Sequence, residues 1–246
     1  DVCVIGAGVT GCSAALHLAQ QGYHVILLEA LNVGHGASGR SGGQILPGLG
    51  TDIRTVENAL GRSAARDIWE MSREAVRLTA HLVDQHQIPC EMSWGYLHAA
   101  VKPRHVVELR QWQERMVRDF DYHGLEWREG DALREHVVTD AYPAALWERE
   151  AGHLHPLNYT LGLARAAQQA GAILHQFSPV VDIRHGKQAT VVTECGRVTA
   201  DHVVIATNAY GDRLVPQMSG RIMRAANYMI ATAPLSEAQA AQRVAA

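Results

Sequence analysis

Glycines at positions 6, 8 and 11 constrain this chain more than any other feature. Asp1–Gly6 (DVCVIG) is a short apolar, β-rich run ending in glycine, the pattern of a buried parallel strand. After Gly6-Ala7-Gly8-Val9-Thr10-Gly11, the residues Cys12, Ala15, Leu16 and Ala19 recur at helical spacing until Gly22 closes the segment as a C-cap. Tyr23–Glu29 (YHVILLE) is a second buried strand that ends in an acid. Strand, tight turn, helix and strand in so short a stretch make a right-handed βαβ unit. Gly6 permits the turn, Gly8 lets the backbone approach a pyrophosphate, and Gly11 lets helix and strand pack closely. The helix start offers free N–H groups and partial positive charge to phosphates. Glu29 is placed to accept hydrogen bonds from ribose hydroxyls. The plain alternative is a structural glycine turn that binds nothing. This unit alone does not separate FAD from NAD.

The rest of the chain follows the same α/β logic. Ser63–Gln87 is an amphipathic helix, with Ala65, Ile68, Trp69, Ser72, Val76 and Val83 on one stripe. Trp94–Val101 reads as a strand and Pro103–Tyr122 as a helix. Asp131 is expected to cap a short helix reaching His136, and Ala145–Arg149 to form a strand. Pro156 starts a helix to about Ala170, a position where its missing N–H costs nothing. Short strands follow at Ala172–Gln176, Val180–Arg184, Ala189–Glu194, Arg197–Thr199 and Asp201–Thr207. Arg221–Ala233 is expected to be extended and the tail from Leu235 helical.

Composition narrows the function classes. With 47% hydrophobic residues in 246 the chain can bury a core, and a net charge of -3 without a basic face gives no footing for nucleic acid. No apolar run approaches the ~18 residues of a membrane span. Cys3, Cys12, Cys90 and Cys195 form no CxxC pair or disulfide framework, so they are expected reduced, as in a cytoplasmic protein. His153 and His155 share a strand face, but no CxxC, HExxH or acid cluster completes a zinc site. The five tryptophans, at 69, 94, 112, 127 and 147, are expected mainly in the core.

The segment after Glu29 decides between cofactors. Ala30–Gly50 carries seven glycines in 21 residues and includes Gly36-Ala37-Ser38-Gly39-Arg40-Ser41-Gly42-Gly43-Gln44. A nicotinamide dehydrogenase ordinarily continues here into a second helix and a third parallel strand. Small residues let backbone lie against a flat ring, and Arg40 can neutralise phosphate; a flexible surface loop has the same composition. This segment, with the glycine turn and the stretches Gly152–Asn158 and Ala206–Gly211, resembles the FAD-dependent amine and amino-acid oxidase superfamily of D-amino-acid, sarcosine and glycine oxidases. Within it, the likeness is to the gamma-glutamylputrescine oxidase branch.

The resemblance implies FAD as cofactor and a small amine or amino acid as substrate. Hydride leaves the carbon next to nitrogen for flavin N5, water hydrolyses the resulting imine, and oxygen or another acceptor reoxidises the flavin. It implies a Rossmann-type FAD-binding domain (1–87 and 150–215) interleaved with a partial α+β substrate domain (88–149 and 216–246). Gly6, Gly8, Val9, Thr10 and Gly11 match the pyrophosphate turn, and Glu29 and Ala30 the ribose-contacting strand end. Ser38, Arg40, Ser41, Gly42, Gly43 and Gln44 match the segment running under the phosphates toward the flavin, with Arg40 and Gln44 nearest the ring. Val180 matches a backbone contact to adenine, where an ordinary core valine is nearly as good a reading, and Ala206, Thr207 and Asn208 the returning strand end. No catalytic side chain is assigned. The resemblance also implies a longer protein. Asp1 begins a strand at once without an initiator Met, and a final strand and helix against the isoalloxazine are expected beyond this stretch. These 246 residues alone are therefore expected to be inactive. A nicotinamide-dependent dehydrogenase and a non-catalytic flavoprotein subunit are the alternatives.

Overall fold

The computed structural model describes residues 1–211, 214–223 and 225–242. In chain order the elements are β1 (Val2–Ile5), α1 (Val9–Gln20), β2 (Val25–Leu28), β3 (Gln44–Ile45), α2 (Ile53–Leu60), α3 (Arg62–Gln85) and β4 (Ser93–Ala99). Then come α4 (Pro103–Phe120), β5 (Leu125–Glu129), α5 (Asp131–Arg134), β6 (Ala144–His153), α6 (Pro156–Gln169) and β7 (Ile173–His175). The chain continues through β8 (Val180–Arg184), β9 (Ala189–Thr193), β10 (Arg197–Ala200), β11 (His202–Ile205), α7 (Pro216–Ser219) and α8 (Glu237–Ala241). Two compact units share them: Asp1–Gly43, His81–Glu91 and His155–Met229 form the first, and Gln44–Ala80, Met92–Leu154 and Ile230–Ala246 the second. By this division residues 44–80 and 150–154 group with the second unit, and 88–91 and 216–229 with the first.

The first unit is built on a parallel four-stranded sheet in the order β11-β1-β2-β7. Parallel strands must be covered on both faces. Cys3, Ile5 and Leu28 pack with Val191 and Ala200, so one face is covered by the antiparallel sheet β10-β9-β8. On α1, Cys12, Ala15 and Leu16 are buried, and this helix packs on α6 and contacts β1 and β2. The fold is therefore the expected α/β arrangement around a Rossmann-type βαβ unit.

The second unit is antiparallel. The long strand β6 runs beside β4 along one edge, while β5 and then β3 share the other. Its core joins Val56, Ala65, Trp69, Met116, Phe120, Tyr122, Leu125 and Leu146. Trp69 meets Phe120 and Tyr122 edge-on, at centroid separations of 6.1 and 5.1 Å. The tryptophans divide: Trp69 is core, Trp112 and Trp127 flank it, and Trp94 is half exposed.

Some local expectations change. β6 is ten residues long, twice the expected strand, because it serves three neighbours. Asp131 does not cap α5: Gly130, at φ +56, is the N-cap, and Asp131 sits in the first turn, bonded to Arg134. α2 lies in a stretch left unassigned from sequence; its signal is Asp52, whose side chain accepts from the Arg54 N–H. The described part of 221–233 forms no strand pairing, and the tail helix begins behind a Ser236–Gln239 capping box. Residues 224 and 243–246, within the extended and tail readings and the outer domain segment, lie outside the described residues.

His136 supplies a pH-dependent contact in this unit. Its ring stacks on Trp147 at 4.2 Å, and its Nε2 accepts from Arg128 Nε at 3.4 Å. Burial, then the Arg128 charge, hold its pKa below the usual histidine value. A proton is thus bound more readily in the unfolded chain, so the contribution is full above the unfolded pKa of about 6.5 and is lost as pH falls. Between pH 7.5 and 5, the unfolding midpoint of wild type should fall by roughly 2 °C more than that of His136→Gln. Differential scanning calorimetry reads this, and parallel curves would contradict it.

Candidate dinucleotide-binding site

Three parallel strands deliver their ends to one turn. The Gly6 N–H donates to the Leu28 carbonyl at 2.7 Å, and the Ala206 N–H to the Ile5 carbonyl at 2.8 Å. Gly6 sits at φ +100, and a Cβ there would lie 2.8 Å from the Ala206 carbonyl oxygen. A Cβ on Gly11 would come within 1.8 Å of the Gly6 carbonyl oxygen and 3.3 Å of the Ala206 Cβ. The first turn of α1 therefore lies directly against the end of β1, as the glycine spacing implies.

The start of α1 is left open to an anion. Gly8 is the N-cap and offers no side chain, and the first turn contains no acid. Val9 N–H donates to Ser38 Oγ at 3.0 Å, and Cys12 N–H to the Gly8 carbonyl at 2.9 Å. Between them, the N–H groups of Thr10 and Gly11 meet no protein acceptor among the described residues. Unpaired donors at a helix start, with the dipole behind them, are what a phosphate binds.

Glu29 is fixed in place. Its Oε2 accepts the Ala7 N–H at 2.7 Å and its Oε1 the Leu31 N–H at 3.0 Å. Each oxygen keeps a second lone pair, so the carboxylate can still receive hydroxyls. Ala30 follows it, exposed.

The glycine-rich segment folds back over this turn. Gly34 N–H donates to the Ala7 carbonyl at 3.0 Å, and Ala37–Gly39 form a 3-10 turn that brings Ser38 to Val9. A Cβ on Gly8 would sit 2.7 Å from Ser38 Oγ. Arg40 is exposed, with Nη2 3.1 Å from His35 Nε2 and no carboxylate paired to it among the described residues. Ser41 Oγ accepts from the Gly43 N–H at 3.3 Å, with Gly42 exposed between them. Gln44 begins β3 in the second unit, opposite His153.

At the returning strand, Thr207 Oγ1 is buried without a hydrogen-bond partner. Asn208 starts the next 3-10 turn at φ +48. Val180 pairs with Thr193 and packs on the Cys3, Ile5 and Leu28 cluster, which by itself accounts for a valine there. Periodicity missed Gln176, whose Oε1 accepts the Val33 N–H at 2.8 Å and ties the loop after β2 to the end of β7. No local signal marks a contact between residues so far apart in sequence.

His153 ends β6, whereas His155 is the N-cap of α6, its Nδ1 accepting from the Asn158 N–H at 3.3 Å. Among the described residues, no three His, Cys, Asp or Glu side chains are grouped to hold a metal ion. Cys3, Cys12 and Cys90 are buried and Cys195 is exposed. Burial pushes the Cys3 thiol up to about 11, and burial together with the Glu29 charge pushes Cys12 up to about 12. Thiolate is the reactive form. Iodoacetamide at pH 8 should therefore label Cys195 in the native protein and spare Cys3 and Cys12 until it is denatured, as peptide mapping would read.

The open helix start, the fixed acid after the second strand and the folded-back glycine segment define a dinucleotide-binding α/β protein. The chain belongs to the family described as DAO, FAD dependent oxidoreductase, whose profile matches residues 1–246. It is an enzyme family, and its cofactor is FAD. The free Thr10 and Gly11 N–H groups, the Glu29 carboxylate and the unpaired Thr207 hydroxyl fit such a group. The chain is 38% identical to gamma-glutamylputrescine oxidoreductase of Escherichia coli over 96% of its length and 56% of that protein's. It is 28% identical to glycine oxidase of Geobacillus kaustophilus over 87% of its length and 56% of that protein's. The crystal structure of the latter superposes with a TM-score of 0.72 at 22% identity, covering 89% of this chain and 58% of that one, a likeness of fold. The chain thus spans a little over half the length of these relatives. No helix among the described residues is long and apolar enough to cross a membrane.

Proposed function

We propose that this chain is the cofactor-binding portion of an enzyme that oxidises the CH–NH bond of a small amine or amino acid, with gamma-glutamylputrescine as the leading substrate. The observation that carries the reading is the Gly6–Gly11 turn, with its free Thr10 and Gly11 N–H groups, in a chain 38% identical to gamma-glutamylputrescine oxidoreductase. In this reading the first unit holds FAD and the second belongs to the substrate domain. Thr10 and Gly11 bind the pyrophosphate, Arg40 neutralises it, and Glu29 orients the ribose. Ser38, Ser41, Gly42 and Gly43 line the path toward the ring and Gln44 lies beside it. Val180 contacts adenine through its backbone, and Ala206, Thr207 and Asn208 close the site. When bound, FAD accepts the hydride; the protein positions the substrate and favours its neutral amine. Oxygen or another acceptor then takes the electrons. The buried thiols support a cytoplasmic setting.

The test is the visible spectrum of the full-length protein before and after anaerobic addition of gamma-glutamylputrescine. Bleaching of the flavin bands supports the whole reading. An unchanged flavin spectrum overturns the substrate and directs the search to glycine, sarcosine and related amines. A protein that takes up no FAD overturns the cofactor role.

A further inference from the structure

The second unit contains a cavity of about 480 Å³ whose lining joins an apolar floor to a cationic rim. Val76, Trp94 and Pro47 supply the floor, and Arg73, Arg77 and Arg149 the cations, with Glu150 as the acid facing them. Trp94 is half exposed here, an unusual place for an indole that gains from burial. It is held at the start of β4 opposite Gly152, next to a register shift before Tyr96.

The cations are not equally engaged. Arg73 is neutralised by Glu150 at 2.9 Å and by Glu70 at 2.9 Å. Arg149 shares Glu126 with Arg128. Arg77, one helical turn after Arg73, is exposed and has no ion-pair partner among the described residues. Arg73, Arg77, Arg128 and Arg149 face Glu70, Glu126 and Glu150, so one positive charge is left unbalanced, at the unpaired Arg77, and an anion relieves it. The volume suits a small molecule, and the floor suits a planar or apolar body. Guanidinium pairs carboxylates in fork geometry and, like Trp, lies against flat rings.

We propose that this cavity is a binding site for a small organic carboxylate, its acid group on Arg77 and Arg149 and its apolar body on Trp94. The site lies wholly within the second unit and goes beyond the cofactor site and the reaction proposed above. Its occupant is a free organic acid, separate from the amine substrate of the proposed reaction.

The test is a titration of the full-length protein with benzoate, followed by tryptophan fluorescence, with benzamide as the neutral isostere and inorganic phosphate as the anion without an apolar body. Saturable quenching by benzoate is expected, absent in Trp94→Phe and shifted to about tenfold higher concentration in Arg77→Gln, with little response to benzamide or phosphate. Arg77 is exposed and free of ion pairs, so its replacement leaves the fold intact; the flavin spectrum and melting curve check this. A response confined to flavin absorption places benzoate elsewhere and overturns the proposal. Equal midpoints in wild type and Arg77→Gln, or equal affinity for benzamide, also overturn it. Phosphate binding as tight as benzoate overturns the apolar part. None of these readings depends on flavin reduction, so the site and the proposed reaction fail separately.

Discussion

Gly11→Ala is expected to give a full-length protein that does not hold FAD. The added methyl would sit 1.8 Å from the Gly6 carbonyl oxygen and 3.0 Å from its carbon, both backbone atoms at the end of β1. No rotamer change relieves that contact. Helix α1 has to move away from β1, carrying with it the Thr10 N–H, the Gly11 N–H and the Val9–Ser38 bond. Forced backbone displacement of this kind costs about 1–3 kcal/mol in a packed core. Because the displaced groups are those that would meet the phosphates, the upper end of that range appears in binding, as about a hundredfold loss of affinity. Gly196→Ala is the control: a Cβ there meets no atom within 4 Å. Flavin absorbance per protein, measured after gel filtration, should be near zero for the first variant and unchanged for the second. Full flavin content in Gly11→Ala would show that the turn is not the phosphate site.

The second large effect is expected far from that turn. Glu148 on β6 is 2% exposed, the most deeply buried acid described. Its Oε1 accepts the Tyr122 hydroxyl at 2.7 Å, and its Oε2 lies 2.7 Å from His98 Nε2. An ionised carboxylate only accepts, so Nε2 is the protonated nitrogen. Burial, then the Glu148 charge, push the Tyr122 phenol well above its usual range, so it remains a donor at any working pH. His98 is flanked edge-on by Tyr96 and Trp112, each at 4.8 Å, and Arg73 lies over the Tyr122 ring at 5.1 Å. One carboxylate thus ties β4, β6 and the segment after α4 together.

Glu148→Ala leaves two donors unsatisfied and a void among these rings. Each buried donor left unsatisfied costs about 1–3 kcal/mol, and two of them with the void add to about 3–5 kcal/mol, so the midpoint of thermal unfolding should fall by roughly 10 °C. Glu148→Gln should lie between, because its amide oxygen accepts from one of the two donors and its NH₂ opposes the other. Tyr122→Phe added to Glu148→Ala should cost less than the sum of the two changes, since the hydroxyl has already lost its partner. A drop of only a degree or two in Glu148→Ala would mean that the carboxylate is dispensable to the fold.

The first βαβ unit could be read from sequence because everything that specifies it is local. The apolar strands, the helical spacing of Cys12, Ala15, Leu16 and Ala19, and the glycine positions all lie within the first twenty-nine residues. The same holds for Pro156 at the start of α6 and for the short strands after Gly171. α2 was legible in principle through Asp52, but glycines before it and a short apolar stripe hid it.

What tertiary structure decided are the contacts whose partners lie far apart in the chain. Gln176 reaches Val33, and Ser38 reaches Val9. β6 grows to ten residues because β3, β4 and β5 all pair with it. Glu148 looks in sequence like any surface acid of an alternating strand; burial beside Tyr122 and His98 makes it a core residue. Periodicity reports which face of an element is apolar, not which distant element covers it. Local sequence therefore determined the cofactor turn and the class of fold, and chain crossing decided which polar groups the core must satisfy.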